Sequence, residues 1–233
     1  MGRIREVMSS WKAGDFFRQL ATVIIGIVVT FGGSALIQRS AERKEARHLL
    51  TMVRSELQLN KKAIEDQIEW HEHELAGVRA FFPYLENPGD VPIDTLVKYS
   101  NIMSSIVLSA HSNAFQMLKT SSAVQSMNDK RLLLDLFKVY SNLDANVSNV
   151  RGYVDSKTAD FDIYYQSIER DEVEMVFGMA DPMAAFAHMT GHSTIAQYVT
   201  RTTRQGWLSN ITEQMKRTVK DLEEMDDKIE NFL

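Results

Sequence analysis

Residues 20–37 read LATVIIGIVVTFGGSALI, a run of eighteen residues that contains no charged side chain. The run lies between Arg18 and Arg39, and one uncharged glutamine at each end extends it to residues 19–38. An α-helix of about twenty apolar residues is long enough to cross a hydrocarbon core of about 30 Å. We therefore predict a single transmembrane helix over residues 19–38.

Two alternatives for this run are a cleaved signal peptide and a helix buried in a protein core. The apolar part of a signal peptide has about 7–15 residues and is followed by a cleavage site of small residues. This run is longer, and a helical pattern continues beyond it. A surface helix of a globular domain has a polar face, and this run has none. We therefore interpret the run as an uncleaved anchor.

The basic residues on the two sides of the run are nearly balanced. Residues 1–18 contain four Lys or Arg, and the twenty residues after the span contain five. A short basic tail resists translocation, whereas a long domain crosses despite its charge. We therefore predict a protein of the inner (cytoplasmic) membrane with its domain outside, in the periplasm; the opposite orientation stays open. The tail is either a helix lying at the membrane interface or an unstructured basic segment.

Small residues recur at every fourth position inside the run, at Thr22, Gly26, Thr30 and Ser34. Such a ridge lets two transmembrane helices approach closely. It predicts a homo-oligomer held together by the membrane helix. Small residues are also common in membrane helices generally, so a ridge that contacts only lipid is the alternative.

Charge and composition exclude several classes of function for the rest of the chain. Residues 1–47 contain eight basic and four acidic side chains, a net charge of +4, and the remaining residues contain eighteen basic and twenty-seven acidic ones, a net charge of −9. An acidic domain argues against a nucleic-acid partner, and basic residues beside the run suit the headgroups of a lipid bilayer. The chain has no cysteine, which excludes disulfides and thiolate metal sites.

A helical stripe continues from Arg39, with no proline before Pro83. Its seam positions are three or four residues apart, which is the spacing of one face of a helix. We therefore predict a continuous helix over about residues 17–82, which contains the span and a long seam of the domain. The seam positions are Ala46, Leu49, Leu50, Val53, Leu57, Asn60, Ile64, Gln67, Ile68, His71, Leu75, Val78, Phe82 and Leu85.

Two polar residues, Asn60 and His71, occupy positions in this aliphatic seam. A polar residue in such a seam fixes helix register or oligomeric state at a cost in stability. We therefore hypothesise that Asn60 pairs across the bundle or across a dimer axis.

The rest of the chain predicts further helices separated by turn signals. The strongest signal is at residues 83–93, which contain three prolines and a glycine. After this loop, Asp94 is expected to cap a helix that continues to about Ser105. A shorter helix is expected over residues 110–127, with a break near residues 120–128.

A second break is predicted over residues 177–192. The expected helix boundaries around it are an Asn128-Asp129 cap, an end between Val176 and Gly178, an Asp181-Pro182 start, a Gly191 end and a start near Ser193 that leads to the C-terminus. Three long amphipathic helices with no alternating strand pattern predict an all-α fold, with an antiparallel helical bundle over residues 39–233.

The sequence contains no complete catalytic or metal-binding motif. His71 and His73 are two residues apart, so on a helix they point about 200° apart and cannot hold one ion. Glu45 and His48 match the Glu-x-x-His step of di-iron bundles, but no second copy of that step occurs. Nucleophile-elbow, phosphate-loop and dinucleotide-binding motifs are also missing. We therefore expect no metal, no cofactor and no enzymatic activity.

Two stretches of the chain have a familiar layout. They are V-I-I-G-I-V-V at residues 23–29 with Ser55-Glu56-Leu57-Gln58-Leu59-Asn60, and Asn113-Ala114-Phe115-x-x-Leu118-x-x-Ser121-x-Ala123 with Asp129-x-x-Leu132 and Tyr140. Over about residues 15–145 this layout resembles uncharacterised bacterial families of single-pass membrane proteins. One such family often has Asn-Asn-Trp-Asn after the span, where this chain has Arg39-Ser40-Ala41-Glu42. The resemblance implies a bacterial, membrane-anchored helical bundle and no particular activity.

These observations together predict a membrane-anchored helical interaction or scaffold protein that acts on an unidentified protein partner through helix-face contacts. A membrane-linked sensor or signalling input domain, whose partner reads displacement of residues 39–82, is the alternative. A membrane-tethered metal-dependent enzyme is a third interpretation, and no motif supports it.

Overall fold

The computed structural model contains helices joined by turns and one longer non-helical segment, with no β-strand among the residues it describes. It describes residues 2–127, 129–170, 172–173, 176 and 181–233, and the side chains in these ranges except at residues 2–17, 19–21, 26–36, 101 and 126. The predicted all-α fold is confirmed for this part of the chain.

The first helix, α1, extends from Gly2 to Phe81 and has 80 residues. At about 1.5 Å per residue it is about 120 Å long. The predicted continuous helix over about residues 17–82 is therefore confirmed, but its bounds differ. The helix begins at Gly2, fifteen residues earlier than expected, and it ends one residue earlier because Phe82 begins a 3-10 turn. Within the described part of the chain, no helix combines the length and the apolar character that a membrane crossing requires.

Shorter helices and turns follow α1. The helices are α2 (Ile93–Tyr99), α3 (Asn113–Thr120), α4 (Ala123–Ser126), α5 (Lys130–Ser167), α6 (Pro182–Gly191), α7 (Ser193–Arg204) and α8 (Trp207–Phe232), and the 3-10 turns are Phe82–Tyr84, Pro88–Asp90 and Ser100–Met103. Residues 104–112 form no helix, and we call this segment the strap.

Helix α8 packs antiparallel against α1. Arg54 pairs with Asp226 at 2.9 Å, and Lys61 pairs with Glu223 at 2.6 Å, so the residue number rises along α1 as it falls along α8. Between the ion pairs lies the aliphatic seam of α1, in which Leu57 is 1% exposed. Burial of each such aliphatic side chain contributes about 1.5–3 kcal/mol, so the seam supplies much of the stability of the bundle.

Helix α5 runs in the same direction as α1. Tyr140 of α5 donates to Glu56 of α1, and Tyr153 donates to Glu74, so both residue numbers rise together. The predicted antiparallel arrangement is therefore right for α1 with α8 and wrong for α1 with α5. The reason is that the strap carries the chain back along α1 before α5 begins.

The start and end of α2 differ from the prediction. Pro92 occupies the N-cap, and its carbonyl accepts the backbone N–H of Leu96 at 3.2 Å. Asp94 therefore lies in the first turn, where a carboxylate favours the positive end of the helix, and does not cap it. The helix ends at Tyr99 rather than near Ser105, because the chain tightens into a 3-10 turn.

Helix α5 ends at Ser167, before the expected end near Val176. Just after it, the Glu169 backbone N–H donates to the Glu172 carboxylate at 2.9 Å. A local bond of this kind offers the backbone an alternative to the helical hydrogen-bond ladder. Gly178, where the sequence predicted that this helix would end at the latest, lies outside the described residues.

Two expected helix caps are confirmed. The Asp129 carboxylate accepts the backbone N–H of Leu132 at 3.0 Å, and the Asp181 carboxylate accepts that of Met183 at 3.1 Å. Helix α6 ends at Gly191, as expected.

The expected single helix from Ser193 to the C-terminus is wrong, because Gly206 divides it into α7 and α8. Gly206 has a φ of 65°, in the left-handed region that glycine adopts most readily. The apolar stripe already contained a gap of eight residues between Val199 and Leu208, and the break lies in that gap.

Candidate functional site

Five polar side chains of α1 are buried on the face that packs into the bundle. They are Glu56, Asn60, Gln67, His71 and Glu74, and each is at most 6% exposed. Successive steps of four, seven, four and three residues keep them on one face of the helix. We call these five residues the polar row. The sequence predicted Asn60 and His71 as polar residues of the seam, and it did not predict that the two glutamates are buried.

The strap lies along the polar row and runs in the direction opposite to α1. At one end Lys157 bonds both Glu74 and the Ser104 carbonyl, and at the other Ala114, just after the strap, donates to Glu56. The direct bonds of Ile106 to Gln67 and of His111 to Asn60 show the same direction, because the strap advances by five residues while the residue number along α1 falls by seven. Seven residues of helix correspond to about 10 Å.

Asn60 fixes the end of the strap that precedes α3, through two hydrogen bonds to one residue. Its side-chain N–H donates to the His111 carbonyl at 2.8 Å, and its side-chain oxygen accepts the His111 backbone N–H at 2.7 Å. A non-helical backbone against a buried helix face needs such partners, because unpaired buried amides are costly. Asn60 therefore pairs within its own chain, with backbone.

Glu56 caps α3 from a different helix. Its carboxylate accepts the backbone N–H groups of Ala114 at 2.7 Å and Phe115 at 3.3 Å, and the Tyr140 hydroxyl at 2.5 Å. Ser112, the N-cap residue of α3, makes no side-chain cap bond, so Glu56 takes that role. A carboxylate is favourable there because a helix N-terminus carries partial positive charge. The two stretches that carry the family resemblance meet at this carboxylate.

Glu74 is the acceptor at the centre of the most buried charged cluster. One of its oxygens accepts from Lys157 at 2.8 Å, from the Tyr153 hydroxyl at 2.6 Å and from the Tyr198 hydroxyl at 2.5 Å. Lys157 also donates to the Ser104 carbonyl at 2.6 Å. The cluster therefore joins α1, α5, α7 and the strap at one carboxylate.

Burial controls the protonation of the groups around Glu74. It lowers the pKa of Lys157, which the Glu74 charge opposes. It raises the pKa of Tyr153 and Tyr198, and the nearby Glu74 charge adds to this effect. Both tyrosines therefore stay protonated donors over the ordinary pH range, which is what the carboxylate requires.

Gln67 and His71 occupy the middle of the polar row. The Gln67 side-chain nitrogen lies 2.9 Å from the Nε2 of His71 and 3.4 Å from the Ile106 carbonyl of the strap. The His71 ring meets the Tyr153 ring edge-on, with 5.9 Å between centroids. Its Nδ1 is buried and has no hydrogen-bond partner among the described residues.

The surroundings of His71 keep its ring neutral. Burial lowers its pKa to about 4; the Lys157 charge acts in the same direction, and the Glu74 charge opposes it. A proton on the ring would therefore be placed in a poorly solvated site beside an existing cation.

The polar row holds backbone and presents no reactive group to solvent. Four of its five residues bond the strap, the start of α3 or the lysine that reaches the strap. Buried networks of this kind specify one arrangement of the chain when their members are satisfied. Chemically, the arrangement fixes the position of a segment relative to α1.

The remaining candidate metal ligands are not brought together. Glu45 accepts the Ser121 hydroxyl at 2.7 Å, and His48 beside it is exposed. His71 is buried, whereas the His73 ring packs beside the Tyr99 ring at 5.2 Å. Each residue therefore has its own separate environment.

Three acidic side chains near the end of α8, Asp226, Asp227 and Glu230, lie within 4.8 Å of one another. Arg54 donates to Asp226 at 2.9 and 3.1 Å and to Glu230 at 2.9 Å. The Arg54 guanidinium thus neutralises part of the negative charge that a metal cation would need. We therefore assign the three acidic residues to the ion pairs between α1 and α8.

Of the four small residues predicted to form a ridge, only Thr22 has a side chain that the structure describes. Thr22 is exposed, and its hydroxyl donates to the Arg18 carbonyl one turn earlier at 2.9 Å. The side chains of Gly26, Thr30 and Ser34 lie outside the described part of the structure.

Comparisons with protein-family models, with curated proteins and with solved structures gave no match to this chain. The site is therefore interpreted from its own geometry.

Proposed function

We propose that this chain is a bacterial single-pass membrane protein whose helical domain binds a partner protein. The observation that supports the proposal most is the continuity of α1, which contains both the uncharged run of residues 20–37 and the polar row. A domain built around a helix that emerges directly from the bilayer is held close to the membrane surface. Its role would be to place a partner there.

The anchor is tested by a charge placed in the middle of the uncharged run. An arginine at the centre of a membrane helix costs about 2.5–3.5 kcal/mol on insertion scales, and near an end its side chain reaches the interface. We expect Val28→Arg to release the chain from membranes washed with alkaline carbonate and Ile37→Arg to leave it bound. Retention of both variants, or loss of both, would contradict the proposed anchor.

We place the domain outside the cytoplasmic membrane, with residues 1–18 inside. A phosphatase that is active only in an oxidising compartment, fused after Leu233, should then be active. A cytoplasmic reporter at the same position should be inactive. The reverse pair of results would show that the domain faces the cytoplasm.

The partner would bind the outer face of α5 near its first turns. Leu134 is 68% exposed and Phe137 is 49% exposed, and a spacing of three residues puts them on one face of the helix. The amino group of Lys119 lies 5.8 Å from the Phe137 ring, and Arg131 and Lys138 are exposed on the same part of α5. An apolar face edged by cations suits a partner helix with apolar and acidic side chains.

This face is tested by charge reversal at one position and a matched control on the same helix. Phe137→Asp should remove a partner that crosslinks to the intact protein in membranes, because a carboxylate would then face acidic side chains. Ile163→Asp, at a position 52% exposed near the other end of α5, should leave the crosslink unchanged. Equal crosslinking of the two variants would exclude this face.

A signalling input domain is the second candidate, and the polar row favours it. Displacement of α1 along its axis would break hydrogen bonds to the strap, including that of the His111 N–H. Bilayers of different thickness shift or tilt a membrane helix. Faster amide exchange at His111 in thick than in thin bilayers would support signalling, and equal exchange would favour a static scaffold.

A further inference from the structure

A cavity of about 530 Å³ lies at the end of the bundle where α1 stops, between α2, α5 and α6. Its floor is made of core residues, among them Leu96, Tyr164 and Phe186, which are at most 8% exposed. Its rim carries exposed apolar side chains, with Val97 at 70% and Met103 at 37%. Among the described residues, the cavity is therefore a concave apolar site that is open on one side.

The described residues that line the cavity include no Asp, Glu, Lys, Arg or His. Their side-chain polar atoms are the hydroxyls of Ser100, Tyr99 and Tyr164. Two of these already have partners, since Ser100 donates to the Val97 carbonyl at 3.2 Å and Tyr164 is bonded to His188 at 3.2 Å. The site thus offers little to a charged ligand, which would lose its hydration without compensation.

Aromatic rings give the cavity fixed walls. The Phe81 and Phe186 rings pack at 4.8 Å between centroids, and Phe81 meets Tyr99 edge-on at 6.2 Å. Gly77 of α1 lets the 3-10 turn after α2 approach closely, because a Cβ there would lie 2.5 Å from Ile102. The walls are therefore held in place by packing between core side chains.

We propose that this cavity binds an uncharged, mainly apolar small molecule. Its volume is within the range of about 300–1,000 Å³ that small-molecule sites occupy, and its lining is apolar and aromatic as in such sites. A concave floor of core residues suits a small molecule better than the flat face of a protein. The cavity is separate from both features of the proposed function. It lies about 66 Å along α1 from the end of the uncharged run, and its lining includes neither Leu134 nor Phe137 of the α5 partner face.

The test uses the full chain in lipid nanodiscs with N-phenyl-1-naphthylamine, an uncharged apolar fluorophore, as the probe. Fluorescence above that of empty discs should saturate at one probe per chain. Ala185→Phe, which adds a ring inside the cavity, should weaken binding about tenfold or more, because the added side chain occupies the ligand volume. Ala159→Phe, at an exposed position of α5, should change binding by less than about twofold.

A charged relative of the probe, 1-anilinonaphthalene-8-sulfonate, should bind about tenfold or more weakly than the uncharged one. Should Ala185→Phe fail to fold, as judged by its helical melting curve, Val97→Asp at the exposed rim takes its place and should also weaken binding. Equal binding by the parent and the cavity variant, or a signal no greater than that of empty discs, would overturn the proposal. If the chain does not stay with the discs, the anchor proposal fails and the same titration is made in buffer.

Discussion

Lowering the pH from about 7.5 to about 5 should destabilise the bundle through His71. Burial lowers the pKa of His71 to about 4 in the folded chain, whereas an unfolded histidine has a pKa of about 6.5. As the pH falls through 6.5, the unfolded chain takes up a proton that the folded chain does not. The contribution of neutral His71 is therefore complete above about pH 7 and is lost progressively as the pH falls toward 4.

The size of this effect follows from the two pKa values. At pH 5 almost every unfolded chain carries the proton on this histidine, and about one folded chain in ten does. The difference corresponds to a loss of about 2 kcal/mol in the free energy of unfolding relative to pH 7.5. Below about pH 4 both states are protonated, and this contribution stops changing.

The assay is urea unfolding of the full chain in nanodiscs, followed by tryptophan fluorescence; of the three tryptophans, Trp70 and Trp207 lie in the helical domain and Trp11 lies before the uncharged run. Other histidines and the carboxylates also titrate, so the quantity of interest is the difference between variants. His71→Phe keeps an aromatic ring against Tyr153 and removes the titrating nitrogen, so it should reduce the pH-dependent loss by about 2 kcal/mol. His73→Phe, two residues away on the partly exposed side of α1, should retain the full loss. If both variants lose as much stability as the parent on acidification, the assignment of His71 as a buried neutral group is refuted.

Three further substitutions test the polar row and the break between α7 and α8. Lys157→Met leaves the Glu74 carboxylate buried without its cation and should cost about 3–5 kcal/mol in urea unfolding; the double variant with Glu74→Leu should recover part of this loss, and no recovery would contradict the pairing. Asn60→Leu leaves the backbone N–H and C=O of His111 unpaired, so it should cost about 1–3 kcal/mol per group and speed amide exchange in the strap. If Asn60 instead acts across a dimer axis, the same variant would change the oligomeric state measured in nanodiscs by light scattering. Gly206→Ala places a Cβ on a backbone with a φ of 65° and should lower the thermal midpoint by the equivalent of about 1 kcal/mol, whereas an unchanged midpoint would show that the turn relaxes at no cost.

The long helices could be predicted because their pattern is local. Along α1 the seam residues recur at steps of three or four positions without interruption. The Asp181-Pro182 start of α6 is a cap that involves only neighbouring residues. The same reasoning failed at Gly206, where the stripe was continued across a gap. A positive φ depends on the chain reversal that tertiary packing imposes, and glycine alone does not reveal it.

The buried charges could not be predicted in the same way. Glu56 and Glu74 are acids on a long amphipathic helix, and such residues are ordinarily solvated. Their burial depends on Tyr140, Tyr153 and Lys157, which are about eighty residues away in sequence and meet them only because α5 runs parallel to α1. The one signal available was that each glutamate lies next to a seam leucine. Asn60 and His71 could be noticed because they replace aliphatic residues within the seam itself.

The strap also limits how the length of the chain can vary. Most connections between helices accept an added residue by bulging into solvent, and the exposed turn at Gly89 is of that kind. The strap is held at Ser104, Ile106 and His111, so one extra residue would have to break a buried bond or push α3 along α1. A glycine inserted after Val107 should therefore cost about 1–3 kcal/mol in urea unfolding. One inserted after Gly89 should cost little, because a Cβ at Gly89 would meet no atom within 4 Å. In this chain a segment without helix or strand has its length fixed by its bonds to α1.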